Sequence, residues 1–117
     1  MRPLTLKNLE SYIDFGAILA KREWVFSVRL KQARERKGLS QRRLGILAGI
    51  LQDSASSRLN QYEHGKHEPD YRTVQRLAKV LEIPTAYFYS ENELLSEIIL
   101  KVSEFSDTKK RKLLRNL

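Results

Sequence analysis

Apolar residues recur three or four positions apart along most of the chain, the spacing that lines one face of an α-helix, and the runs break at glycine, proline or a capping residue. Leu6, Leu9, Tyr12 and Ile13 predict a helix over 7–22. Phe26, Leu30 and Ala33 predict a second over 26–37, stopped by Gly38. Residues 39–69 predict two short helices joined by a turn. In the first, Ser40 can accept from the free N–H groups of the first turn, Leu44, Leu47 and Ala48 mark one apolar face, and Gly49 ends the helix. Ile50 and Leu51 are expected to pack the turn. Asp53 or Ser54 caps the next helix, Ala55, Leu59 and Tyr62 point inward, and Gly65 closes it. Beyond Pro69, the residues Tyr71, Val74, Leu77, Ala78 and Leu81 predict a helix, and Pro84 opens a short one over 85–89. Leu94, Leu95, Ile98, Ile99, Val102 and Phe105 predict a further helix capped by Ser90 or Asn92. A last helix follows Ser106 or Asp107, with Leu113, Leu114 and Leu117 apolar. The expected fold class is all-α.

The second helix of the central pair carries Ser56, Ser57, Arg58, Asn60 and Gln61 on its other face. These are small hydrogen-bonding groups plus one guanidinium, the chemistry that reads base edges in a major groove. The whole stretch resembles the Cro/phage-repressor (Xre-type) helix-turn-helix family. The matching residues are Leu39-Ser40-Gln41, Leu44, Gly49-Ile50, Leu59, Tyr62-Glu63, Gly65 and Pro69, and the likeness extends over roughly 28–89. It implies a five-helix lambda-repressor-like DNA-binding domain at 25–90. An N-terminal helical extension or arm at 1–24 and C-terminal helices at 91–117, available for dimerisation, complete the expected organisation. There are two departures. Gly45 stands where the family usually has alanine, and Leu51, Gln52, Asp53 and Ser54 lengthen the segment before the recognition helix. The resemblance further implies that Arg34 pairs with Glu63, and that the aromatics Tyr87, Phe88 and Tyr89 seal the core rather than stack on bases. Gln41, Arg42, Arg43 and Lys66 are the expected phosphate-binding residues, and Ser56, Ser57, Arg58 and Gln61 the expected base readers. Arg58 can contact guanine O6 and N7 together.

Charge points to the same partner. Lys and Arg number 22 against 14 acids, a net +8 and a pI near 9.9. Clustered cations release counterions from phosphate. Arg29, Lys31, Arg34, Arg36, Lys37, Arg42 and Arg43 crowd beside the motif with Glu35 as the lone acid among them. The basic run at 109–112 reads as a solvated face. The absence of cysteine removes disulfides and thiolate metal sites and agrees with a cytoplasmic protein. No secretory signal and no span of membrane length is expected. His64 and His67 lack a third ligand beyond Glu68 or Asp70 in the same turn, the serines lack a general base at fixed spacing, and no glycine-rich phosphate loop is present. Neither an enzyme nor a cofactor is expected. The expected function is sequence-specific binding of double-stranded DNA by a homodimeric transcriptional repressor on a palindromic operator. Leu94, Ile98 and Phe105 face one side of their helix and Leu95, Ile99 and Val102 another, more apolar surface than one packing contact needs. Two alternatives carry a protein partner: an antitoxin whose terminal helices hold a toxin, and an interaction module that has lost DNA binding, which the small serines of the recognition helix leave open.

Overall fold

A computed structural model describes residues 15–117 in backbone and the side chains from Val25 onward. The described part is all-helical. The helices expected over 7–22 and 26–37 are continuous where they are described, because α1 runs unbroken as Phe15–Arg36. Neither glycine nor proline separates Arg22 from Phe26, so no backbone feature interrupts the hydrogen-bond ladder. Leu6, Leu9, Tyr12 and Ile13 lie outside the described residues. Then follow α2 (Gln41–Leu47), α3 (Ala55–Glu63), α4 (Tyr71–Leu81), a 3-10 helix (Thr85–Tyr89), α5 (Glu93–Ser103) and α6 (Asp107–Arg115).

Short helices depend on their caps, since each leaves backbone N–H groups without partners in its first turn. Ser40 accepts from the amide of Arg43 at 3.0 Å, Asp70 from Thr73 at 2.9 Å, Asn92 from Leu95 at 2.8 Å, and Ser106 from Lys109 at 3.2 Å. Ser54 sits at the cap position of α3 without such a bond; its hydroxyl turns back to the carbonyl of Leu51.

The core is one cluster. Leu30 of α1, Leu44 of α2, Leu59 of α3, Leu77 of α4 and Phe88 of the 3-10 helix are all fully buried. Each such side chain contributes about 1.5–3 kcal/mol on leaving water. Phe26 and Phe88 stack tilted at 5.0 Å between centroids. Three residues expected to face inward do not. Leu47 is half-exposed, Tyr71 and Leu51 more so. A two-turn helix such as α2 buries one narrow edge, and α3 crosses it at Gly45, against Ala55 and Leu59. Leu51 belongs to a turn that projects, and Ile50 takes its place against the core.

The boundary expected at 90/91 is crossed by hydrogen bonds. Arg29 is buried on α1; its Nε donates to the carbonyl of Ser90 at 2.9 Å and its Nη1 to Glu93 Oε1 at 2.9 Å. The buried Ser96 hydroxyl donates to the carbonyl of Asn92 at 2.7 Å. These bonds seat the start of α5 on the domain. Ile99 and Leu100 pack on the core, while Leu94, Leu95 and Ile98 stay exposed.

Candidate nucleic-acid interface

The recognition face is built backwards from what holds it. Gly49, at φ +88°, lets the chain leave α2 in the left-handed conformation that only glycine adopts cheaply. The lengthening residues 51–54 then form a turn outside the helices, so α3 opens at Ala55. Ala55, Leu59, Tyr62 and Glu63 are buried, which fixes the rotation of α3. Ser56, Ser57, Arg58 and Asn60 are left exposed and Gln61 half-buried.

Glu63 locks this rotation from behind. Arg34 Nε donates to its Oε2 at 2.8 Å and Nη2 to its Oε1 at 3.0 Å, a bidentate pair, while Nη1 donates to the carbonyl of Leu39 at 2.8 Å. The Glu63 side chain is almost wholly buried. The hydrogen bond to Glu63 raises the pKa of Arg34 above the ordinary arginine value, so the guanidinium stays charged. One guanidinium thus ties α1, the α1–α2 turn and the recognition helix together, using the planar fork that lysine lacks.

Gln41 lies across the same helix, its Nε2 at 3.4 Å from both Asn60 Oδ1 and Glu63 Oε1. Asn60 is exposed and in touch with the first residue of α2, on the same face as the expected base readers. Arg42 and Arg43 stand exposed beside the Ser40 cap, with no ion pair among the described residues. Lys66 is exposed just past Gly65, and its amide donates to the carbonyl of Gln61 at 2.9 Å. Arg58 leaves α3 at its flank and lines a cleft of about 230 Å³ with Gln61, Tyr62, His67 and Glu68. His64 sits with its Nδ1 at 2.8 Å from the carbonyl of Asn60.

The basic cluster beside the motif does not act as one surface. Arg29 turns inward, Arg34 is held by Glu63, Arg36 pairs with Glu97, and Lys37 Nζ lies 3.3 Å from Glu82. Lys31, Arg42 and Arg43 are what remains of it for a partner. With Glu35 the lone acid among them in sequence, the cluster looks unneutralised, because the neutralising carboxylates come from far along the chain.

A family model described as Helix-turn-helix matches residues 30–88, which is 59 of the 117 residues. The chain belongs to the Cro/Xre-type helix-turn-helix family. Its similar proteins include the SPbeta prophage-derived HTH-type transcriptional regulator YonR of Bacillus subtilis, 36% identical over 63 residues, covering 54% of this chain and 55% of YonR. The HTH-type transcriptional regulator PuuR of Escherichia coli is 37% identical over 65 residues, covering 56% of this chain and 33% of PuuR. This chain therefore aligns with about half of the first relative and a third of the second. The crystal structure of transcriptional regulator BswR superposes with a TM-score of 0.71 at 48% identity, covering 76% of this chain and 88% of that one. Each of these proteins is named as a transcriptional regulator, and the family is not one of enzymes. Among the described residues no helix is long and apolar enough to cross a membrane.

Proposed function

We propose that this helix-turn-helix chain binds double-stranded DNA sequence-specifically as a homodimer and regulates transcription as a repressor. The observation that carries this reading is the α3 surface. Its inner side is clamped by Arg34–Glu63, and its outer side presents hydrogen-bonding groups next to Arg42 and Arg43, which form no ion pair among the described residues. Ser56, Ser57, Arg58 and Gln61 read base edges, with Asn60 beside them. Gln41, Arg42, Arg43 and Lys66 hold phosphates and set the register, since phosphate contacts position and base contacts specify. Repression needs only occupancy of a promoter site. In a bacterial cell such as those of its relatives, a protein working on chromosomal DNA acts in the cytoplasm.

One recognition helix reads only a few base pairs, and two-fold pairing doubles the site, with half-sites about one helical turn apart. The exposed Leu94, Leu95 and Ile98 of α5 support pairing through the C-terminal helices, because a closed two-fold contact buries such a face on both copies. The same apolar face supports the antitoxin reading, in which it holds a different protein. Selection from random duplexes tests the function: a two-fold symmetric consensus is expected, and failure to enrich any sequence at low salt overturns DNA reading in favour of an interaction module. Arg58→Ala should cost about 1–3 kcal/mol at one base position, while Arg43→Ala weakens all sequences alike. Light scattering on the full chain and on a form ending at Tyr89 tests the pairing; a monomeric full chain at micromolar concentration removes the homodimer.

A further inference from the structure

The outer face of α4 has no part in the interface described so far. Arg72, Arg76 and Lys79 recur at spacings of 4 and 3 and so share one stripe, opposite the buried Val74, Leu77 and Leu81. All three are exposed, and none has an ion pair among the described residues. Arg76 Nε donates to the carbonyl of Arg72 at 3.4 Å. The carboxylates at the two ends of the helix stay outside ion-pair distance of the stripe, although Asp70 feels the charges of Arg76 and Arg72. Asp70 accepts from the amide of Thr73, and Glu82 lies against Lys37. Among the described residues the stripe is thus left with three cations that no side chain at ion-pair distance neutralises, unlike Arg29, Arg34 and Arg36 of α1.

The stripe also reaches the recognition helix. A Cβ placed on Gly49 would lie 3.4 Å from Arg76 Nη1, so the guanidinium rests on the turn between α2 and α3. There Arg76 and Arg58 line one cleft of about 240 Å³, together with the hydroxyl-bearing Ser54 and Thr73. Arg72, Arg76 and Lys79 continue outward from that cleft along α4. The seven helical steps from Arg72 to Lys79 cover about 10 Å. Phosphates of one strand advance about 3.4 Å each along the duplex axis, so the stripe spans about three of them.

We propose that Arg72, Arg76 and Lys79 form a second surface for the phosphodiester backbone of duplex DNA, continuous with the recognition helix and carrying the footprint past the bases that α3 reads. This rests on the proposed DNA binding. The contact is electrostatic and blind to sequence. It adds affinity and salt dependence without altering base preference, and the guanidiniums suit phosphate through their planar fork.

The test uses the full chain and a fluorescent mixed-sequence duplex of roughly 40 base pairs, several helical turns long, titrated over a range of salt. The triple variant Arg72→Ala/Arg76→Ala/Lys79→Ala should flatten the slope of log K against log salt by about 0.9 per lost phosphate, hence about 2.7 per protomer. Affinity at low salt should fall tenfold or more, roughly one logarithmic unit, by the same relation. The ratio of affinities for a selected operator and the mixed sequence should stay as it was. Arg76→Lys keeps the charge and should keep the slope. Lys101→Ala, which lowers net charge on α5, should leave the slope unchanged. Because all three residues are exposed, the melting temperature of the triple variant should match that of the unaltered chain. A triple variant with the original slope and affinity overturns the α4 surface and leaves the DNA-binding reading standing. An equal loss in Lys101→Ala also overturns it, since net charge alone is then responsible. An unaltered chain that binds no duplex overturns the DNA-binding reading and this surface with it.

Discussion

Replacing Gly45 by alanine sets two effects of known size against each other. Gly45 is buried on α2 where α3 crosses it. On helix propensity alone, alanine should stabilise α2 by about 1 kcal/mol. The added methyl has nowhere to go. A Cβ built at Gly45 lies 2.9 Å from Ala55 Cβ, 3.0 Å from Leu59 Cδ2 and 3.1 Å from the carbonyl oxygen of Ala55. Carbon atoms pack best at about 3.5–4.0 Å. Two of these three neighbours are fixed to the α3 backbone, and Leu59 is fully buried. Relief therefore requires α3 to move away from α2. Forcing an extra methyl into a packed core costs about 1–3 kcal/mol, and backbone-fixed neighbours place this case in the upper part of that range. The net expectation is a loss of about 1–2 kcal/mol. At roughly 4–8 °C per kcal/mol for a domain of this size, thermal melts followed by circular dichroism should show a clear drop. DNA affinity should fall as well, because Gln41 on α2 and the proposed readers on α3 no longer share one geometry. A melting temperature equal to or above that of the unaltered chain would refute the reasoning and show that the two helices separate at little cost.

Arg34→Met should cost about 3–5 kcal/mol in urea unfolding, because it strands the buried Glu63 carboxylate; adding Glu63→Leu should recover most of that loss, and a single-variant cost below about 1 kcal/mol would mean the pair is not what holds α3. Hydrogen bonds from Thr73, side chain first and backbone amide second, hold the Asp70 carboxyl below its ordinary range, and the hydrogen bond from Arg36 does the same for Glu97. A carboxylate depressed on folding contributes stability that is complete above its unfolded value, near pH 4, and is lost as pH falls through the folded value. Stability should accordingly be flat between about pH 5 and 7 as far as these two groups are concerned and decline on further acidification, less steeply in Asp70→Asn/Glu97→Gln. A decline of the same steepness in that double variant would assign the acid sensitivity to other groups.

Periodicity and punctuation determined the helices. A run such as Val74, Leu77, Ala78 and Leu81 can bury one side only as a helix, and Ser40, Asn92 and Ser106 mark where other helices begin, so order, class and most inner faces follow from spacing and caps. The residues Leu39-Ser40-Gln41 to Pro69 also sufficed to name the family. Spacing places a residue on a face and says nothing of what meets that face. That is why Leu47 and Tyr71, correctly periodic, lie exposed: α2 and α4 meet their neighbours along narrower strips than their apolar residues cover. The charges depend on tertiary contact even more. Arg29 meets Glu93 and Arg36 meets Glu97, partners 64 and 61 residues away, so only the folded chain shows which cations are already neutralised and which, on α2, α3 and α4, remain for a polyanion. The glycine at 45 has the same explanation. Its helix would prefer alanine, and the reason for glycine is a methyl group on another helix 2.9 Å from where its own would be.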